Sequence, residues 1–171
     1  LIIASYAKHT TNLQQVWLVP SPQNPLKPSV SLLNEYHRLH LVQLAIEEDP
    51  HLKVTDIEFH LPKPSYTIDT LAYLQEKYPY HQFSIIMGSD SYSNIHRWKN
   101  HQYLLKHHHI FLFPRPGYPI DPLAENITVI QAPLLDISST TIREFVKKGI
   151  PIRYLVPATT AREIELNNYY K

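Results

Sequence analysis

Short apolar runs alternate along the chain with longer segments in which apolar residues recur at helical spacing. Three runs are rich in β-branched or aromatic residues and are followed by proline or glycine; they cover residues 16–19, 83–87 and 110–113. Such runs are typical of strands buried on both faces of a sheet. Residues 127–130 predict a fourth strand. The alternation of apolar and polar residues over 57–61 predicts a further strand with one wetter face, at an edge.

Helical patterns occupy the segments between these runs. Residues 35–48 place Leu39, Val42 and Ile46 on one face, and residues 68–78 place Leu71 and Leu74 inward. Pro50 and Pro79 follow these two patterns and mark their ends.

The C-terminal third predicts two more helices. One is centred on Ile142, with Lys147 in its last turn and Gly149 just past its end. Thr160 and Glu163 have the spacing of a capping box and predict the start of a final helix toward Leu166.

The apolar stretch over residues 1–7 predicts a helix that leads into the strand at Val16. A helix that opens a parallel α/β unit implies a strand before it, so we expect one upstream. The alternation of strands and helices predicts an α/β fold with a mostly parallel sheet and helices on both faces.

Composition limits the chain to one globular domain, residues 1–171, with 43% hydrophobic residues. Sixteen basic and fifteen acidic residues give a formal charge of +1, which predicts no general attraction to nucleic acid or to a membrane. Cysteine is absent, which excludes thiolate chemistry and fits a reducing, cytoplasmic compartment. A homo-oligomer is compatible with this composition.

Eleven histidines suggest a metal site, above all the run His107, His108 and His109. Metal-binding histidines usually have spacing such as i, i+4 with a further ligand. We therefore interpret the run as a polar entry to the strand that follows, and we predict no protein-held metal.

The segment over residues 137–143 carries four hydroxyl residues into the short helix, followed by Arg143. A helix entrance of this kind directs backbone N–H groups, hydroxyls and the positive end of the helix dipole toward one point, which suits a phosphate. A plain helix cap, with Thr141 and Glu144 as the capping box, is the alternative.

Gly88, Ser89 and Asp90 directly follow the run 83–87, at the carboxyl end of a predicted central strand. Ligands of open α/β sheets bind at such ends, glycine permits close backbone approach, and Asp90 could accept hydrogen bonds from ribose hydroxyls. A strand-ending turn in which Asp90 caps the next helix is the alternative.

Other candidates lie in loops at strand ends. Arg115 is held between two prolines, which restrict its backbone and can aim its guanidinium at a phosphate. Trp98 offers a flat face to a heterocycle, although tryptophan is more often simply packed. Lys27 lies in a proline-rich loop, and Tyr66 and Thr67 precede the helix at residue 68.

Taken in order, these segments resemble the nicotinate mononucleotide adenylyltransferase family, whose members have a Rossmann-like nucleotidyltransferase fold. The matching segments cover residues 24–27, 64–71, 86–90, 98, 115–118, 137–143 and 154–157. They span nearly the whole chain.

The resemblance implies transfer of the adenylyl group of ATP to nicotinate mononucleotide, with Mg²⁺ carried on the ATP. It places ATP beside Gly88, Asp90, Ile137, Ser138, Ser139 and Arg143, where Arg143 would stabilise transition-state charge. It places nicotinate mononucleotide beside Lys27, Tyr66, Thr67, Trp98 and Arg115.

The family also begins with a strand, a glycine-rich turn and a His-x-Gly-His motif, and none of the histidines present matches that pair. We expect those elements directly before Leu1. Two other functions stay open: a sister adenylyltransferase with another phosphorylated acceptor, such as nicotinamide mononucleotide or phosphopantetheine, and a non-catalytic nucleotide-binding module.

Overall fold

A computed structural model describes residues 1–23, 25, 33–120, 124–133 and 137–171. In this part of the chain, α-helices and β-strands follow one another in the order α1 Ile2–Thr10, β1 Val16–Leu18, α2 Glu35–Ile46, β2 Leu52–Val54, α3 Thr67–Lys77, β3 Ile85–Gly88, α4 Ser89–Tyr92, α5 His101–His107, β4 Ile110–Phe113, β5 Ile127–Val129, α6 Ser139–Lys147 and α7 Ala158–Leu166. Two short 3-10 helices cover Ile57–His60 and Ile95–Arg97.

Every strand pair in the described ranges is parallel, as the sequence predicts, but these strands form two sheets. β1 pairs with β2, and β4 lies between β3 and β5. Gly88 at the end of β3 is in register with Phe113 at the end of β4. The carboxyl ends of these two strands therefore lie side by side.

Helices cover both faces of the larger sheet. Ile85 and Met87 of β3 and Ile110 and Leu112 of β4 pack in one cluster with Leu71 of α3, and Leu104 of α5 joins the same cluster. The intervening strand residues point the other way, because successive side chains of a strand alternate between faces.

The opposite face carries a second cluster. Phe111 of β4 is buried there with Ala7 of α1 and Ile46 of α2, and Val16 and Leu52 bring in the smaller sheet. The core is thus continuous from one sheet to the other. The predicted α/β architecture with helices on both faces is confirmed.

Beside this shared core, a cavity of about 870 Å³ lies between β1 and β3. It is lined by residues of β1, by the segment entering β3, and by side chains of α1 and α3. β1 and β3 are each the end strand of their sheet, so the facing edge of each has backbone groups available for pairing.

Two local predictions are wrong. Residues 57–61 do not form a strand: Ile57–His60 is a 3-10 helix, and Glu58 in it is 8% exposed rather than on a wetter face. Thr160 does not cap the last helix, since α7 begins two residues earlier and Thr160 is buried inside it.

The C-terminal helices form a third cluster. Leu41 of α2 packs with Ala161 and Ile164 of α7, and apolar side chains of α6 cover them. α6 ends as predicted, with Lys147 in its last turn and Gly149 at φ 68° just beyond. None of the described helices has the length and apolar character needed to cross a bilayer.

Candidate active site

Gly88, Asp90 and Arg115 meet at the carboxyl ends of β3 and β4. The Arg115 Nε lies 3.9 Å from Asp90 Oδ1, and both side chains are partly exposed. A pair of this length at the surface contributes little to stability. The guanidinium therefore keeps donors that can turn toward an anion.

Position 88 has no room for a side chain, so it requires glycine. A Cβ there would collide with Asp90 Oδ1 and would lie 3.1 Å from Phe113 Cζ and 3.2 Å from Arg115 Cγ. The crowding comes from protein side chains, and the close approach of a ligand to this glycine stays a prediction. Asp90, by contrast, does not cap a helix: Gly88 is the N-cap residue of α4 and Asp90 lies in its first turn.

Ser89 is a structural residue of this corner that the sequence does not single out. Its side chain is 1% exposed, and its hydroxyl oxygen accepts a hydrogen bond of 2.8 Å from the Arg115 backbone N–H. This bond joins the residue after β3 to the loop after β4. The only feature of the sequence that could have pointed to Ser89 is its position next to Asp90, the residue predicted to contact a ribose.

The loop after β4 makes a tight turn at Arg115. The Tyr118 backbone N–H donates to the Arg115 carbonyl at 3.1 Å, Pro116 follows Arg115, and Gly117 has φ 80°. Proline followed by a residue with positive φ is the signature of a type II turn. The turn fixes the backbone from which the Arg115 side chain starts.

A second group of candidates lies at the start of α3. Tyr66 is the N-cap residue and Thr67 the first helical residue. Lys99 Nζ donates to both carboxylate oxygens of Asp69, at 2.8 and 2.9 Å, and lies 5.0 Å from the Tyr66 ring centroid. Trp98 is partly buried, packs against the core that contains Leu71 and lines the large cavity.

The buried carboxylate of Glu58 forms hydrogen bonds with residues at the start of α3. Glu58 accepts hydrogen bonds from the Ser65 hydroxyl at 2.6 Å and from the Thr70 hydroxyl at 2.9 Å. Ser65 also lies 2.7 Å from the Ser21 hydroxyl, in the loop after β1. Sequence reasoning missed Glu58 because its neighbours suggested a half-exposed strand.

The third group is the mouth of α6. Ser138 is its N-cap residue: the Ser138 hydroxyl accepts from the Thr141 N–H at 3.1 Å and lies 2.8 Å from the Thr141 hydroxyl. The hydroxyl cap of the alternative interpretation is therefore present, but Ser138 makes it, and the proposed box of Thr141 and Glu144 is wrong. Arg143 is partly buried and donates to Thr140 Oγ1 at 3.3 Å.

The C-terminal residues pack against α6 and α2. Tyr170 belongs to the cluster that contains the apolar side chains of α6, and Tyr169 lies 2.7 Å from His37 Nδ1 through its hydroxyl. Burial raises the pKa of the Tyr170 hydroxyl, and the nearby positive charges of Arg143 and Arg38 oppose that rise.

The structure thus gathers the described candidates into three groups. Gly88 and Asp90 meet Arg115; Tyr66 and Thr67 share the α3 start with Trp98 nearby in the same core; and Ile137, Ser138, Ser139 and Arg143 belong to the α6 mouth. Among the described residues, no hydrogen bond or ion pair joins the α6 group to the other two. Lys27 lies outside the described residues.

Acidic and histidine side chains do not assemble into a metal-binding group of three or more within the described ranges. His107 ends α5 and His109 directly precedes β4. The histidine run therefore stands at the entry to a strand, where the sequence placed it.

Comparisons with known proteins agree with this architecture. A family model described as cytidylyltransferase-like matches residues 1–145. A Flavobacterium psychrophilum protein named "Probable nicotinate-nucleotide adenylyltransferase" is 46% identical over 175 residues, which cover 100% of this chain and 91% of that protein. A Cytophaga hutchinsonii protein of the same name is 45% identical over 172 residues, covering 99% and 90%.

Solved structures share the fold. Plasmodium falciparum nicotinic acid mononucleotide adenylyltransferase complexed with NaAD superposes with a TM-score of 0.77 at 23% identity, covering 97% of this chain and 88% of that one. At that identity the superposition supports the fold alone. The full-length relatives above 40% identity confirm the resemblance seen in the sequence: this chain belongs to the nicotinate-nucleotide adenylyltransferase family, within the cytidylyltransferase-like proteins.

Proposed function

We propose that this chain transfers the adenylyl group of ATP to nicotinate mononucleotide, forming nicotinate adenine dinucleotide and pyrophosphate. The single observation that carries the proposal is the corner at Gly88, Asp90 and Arg115. A glycine without room for a side chain, a carboxylate and a loosely paired guanidinium stand together at adjacent strand ends. That edge of a parallel sheet is where such folds bind nucleotides.

The proposed roles follow the three groups of residues. In the ATP half, the α6 mouth and Arg143 hold phosphates, while Gly88 and Asp90 lie beside the adenosine ribose; the residues are Gly88, Asp90, Ile137, Ser138, Ser139 and Arg143. In the acceptor half, a guanidinium and the α3 start bind nicotinate mononucleotide; the residues are Lys27, Tyr66, Thr67, Trp98 and Arg115.

The exposed mouth of α6 supports the phosphate role. The Ser138 hydroxyl already accepts a hydrogen bond from the Thr141 N–H, whereas Ser139 and Thr140 are exposed at the first helical positions. The first turn of a helix presents N–H groups without intrahelical acceptors, and its dipole favours an anion. Arg143, one turn later, adds a full positive charge.

The reaction needs no nucleophile from the protein. A phosphate oxygen of nicotinate mononucleotide attacks the α-phosphorus of ATP, the new P–O bond forms, and the bond to the β-phosphate oxygen breaks to release pyrophosphate. The protein holds the two anions in line and stabilises the charge that develops. Arg143 and Arg115 are the described cations proposed for that work.

Magnesium enters with ATP in this proposal. Asp90 is the carboxylate at the strand-end corner, and it faces Arg115 at 3.9 Å. Asp90 is assigned to the ribose, and the described residues hold no cluster of three or more acidic or histidine side chains, which suits an ion that takes most of its ligands from ATP phosphates and water, as Mg²⁺ commonly does.

We also propose that residues 1–171 form one nucleotidyltransferase domain whose sheet is completed by a further strand. Within the described residues β1 and β3 have no strand partner on their facing edges, and the 870 Å³ cavity lies between them; both observations support this assignment. A strand in that place would bring the glycine-rich turn and the His-x-Gly-His motif expected from the family to the same sheet edge.

Acceptor preference tests the function. The full-length gene product is mixed with Mg-ATP and, in parallel, with nicotinate mononucleotide, nicotinamide mononucleotide or phosphopantetheine, and pyrophosphate release is followed. We expect the highest kcat/KM with nicotinate mononucleotide. A preference for either other acceptor would support a sister adenylyltransferase, and ATP binding without turnover of any acceptor would support a binding module.

A further inference from the structure

We infer that Glu58 is a positioning residue for the acceptor half of the site, because it fixes the segment that carries Tyr66 and Thr67. This inference rests on the proposed function, which gives that segment its ligand. Glu58 is a carboxylate that is only 8% exposed, and it faces hydroxyls rather than a lysine or arginine among the described residues.

The two hydroxyls that Glu58 holds flank the proposed binding residues. Ser65 precedes Tyr66 and donates to Oε2 at 2.6 Å, while Thr70, one turn into α3, donates to Oε1 at 2.9 Å. Each carboxylate oxygen thus anchors one end of the helix start. The chain between Ser65 and Thr70 cannot shift without breaking a buried bond to a carboxylate.

The network also reaches the loop after β1. Ser65 has a single hydroxyl proton and gives it to Glu58, so at 2.7 Å it must accept a proton from Ser21. The Ser65 backbone N–H donates to the Gln23 carbonyl at 3.3 Å in the same loop. Glu58 is therefore joined through Ser65 to the described start of the loop after β1.

Fixing the start of α3 matters for anion binding. The Tyr66 carbonyl accepts from the N–H groups of Asp69 and Thr70, at 3.0 and 3.1 Å. The N–H groups of Thr67 and Ile68 belong to the first turn, which has no intrahelical acceptors to offer them. The carboxylate of a nicotinate ring bound there would accept hydrogen bonds from these N–H groups only if the first turn of α3 keeps its orientation.

The test compares two buried threonines that differ in their partners. Thr70→Val removes the hydroxyl that donates to Glu58 at 2.9 Å and that also lies 3.2 Å from the Tyr66 carbonyl, so Glu58→Gln is needed to separate the two contacts. Thr160→Val makes the same change in α7, where the buried Thr160 Oγ1 has no hydrogen-bond partner within the described residues. Glu58→Gln keeps the side-chain size but replaces one acceptor oxygen by an amide donor.

Steady-state constants for both substrates are measured on the full-length enzyme, well below the melting temperature of each variant. We expect Thr70→Val to raise the KM for nicotinate mononucleotide about tenfold, equivalent to 1.4 kcal/mol. The KM for ATP and kcat should stay within about twofold, because the substitution lies in the acceptor half and removes no proposed contact to ATP. Glu58→Gln should shift the same constant in the same direction.

The Thr160→Val control and the unmodified enzyme distinguish a failure of the inference about Glu58 from a failure of the proposed function. Thr160→Val should leave all the constants unchanged. If Thr70→Val and Glu58→Gln change the two KM values equally, or change neither, Glu58 is only a structural residue and the inference is wrong. If the unmodified enzyme does not turn over nicotinate mononucleotide, the proposed function fails and the inference falls with it.

Discussion

Replacing Gly88 by alanine should damage the site more than it damages the fold. The added methyl group would overlap Asp90 Oδ1 and crowd Phe113 Cζ at 3.1 Å and Arg115 Cγ at 3.2 Å. Asp90 can rotate away at little cost because its end is partly exposed. The phenyl ring and the arginine stem must also yield by a few tenths of an ångström.

The expected loss of stability is that of mild overpacking, about 1–3 kcal/mol. For a protein of this size, each kcal/mol lowers the melting temperature by about 2–4 °C. The expected loss of activity is larger than the fold alone would cause, since both proposed ligand residues at this corner are displaced. We expect kcat/KM for ATP to fall by at least about tenfold, or 1.4 kcal/mol.

Gly149→Ala is the matched control. Gly149 has φ 68° and open space around its Cβ position, so alanine there is strained but touches nothing. It should cost about 1–2 kcal/mol of stability through its left-handed backbone and leave kcat/KM unchanged. Thermal unfolding and pyrophosphate release are measured on both variants. A Gly88→Ala enzyme with normal kcat/KM would refute the crowding argument.

Three further predictions concern charged and titratable groups. Arg143→Ala should lower kcat/KM by at least about tenfold, because a charge-assisted hydrogen bond contributes about 1.5–3 kcal/mol; an unchanged pyrophosphate-release rate would remove Arg143 from the site. Arg38 donates to three backbone carbonyls at 2.7 to 3.2 Å, on both sides of the proline-rich loop. Arg38→Ala should therefore cost about 2–3 kcal/mol in denaturant unfolding, and a loss below about 0.5 kcal/mol would contradict those bonds. The pKa of Tyr170 is raised above its ordinary 10.0, so its contribution to stability is complete below pH 10 and is lost as pH rises through the folded-state pKa. Above pH 10, the free energy of unfolding should accordingly fall more steeply with pH for the native protein than for Tyr170→Phe. Equal slopes for the two proteins would be inconsistent with the raised pKa.

The strands and main helices could be predicted because their signals are local. The run 110–113 is apolar throughout and is a strand over the same residues, and α6 has a glycine stop and a hydroxyl-rich start that mark both ends. The corner at Gly88 was predictable too, since parallel strands place their carboxyl ends at one edge.

The failures have tertiary causes. Glu58 looked like the wet face of a strand, but its carboxylate is buried because Ser65 and Thr70, seven and twelve residues away, supply donors. Ser89 gained its role from Arg115, 26 residues further on. Thr160 matched a capping pattern, yet the helix already begins at Ala158. Contacts between distant segments leave no mark on local periodicity.

We propose that the strand ends at Gly88 and Arg115 and the mouth of α6 face one shared cleft. A crystal structure of the full-length enzyme with nicotinate adenine dinucleotide tests it most directly. We predict the adenosine beside Gly88 and Asp90, and the two phosphates within hydrogen-bonding distance of Arg115 or the α6 N-terminus. A dinucleotide bound elsewhere, with these residues still facing solvent, would show that they do not form one binding cleft.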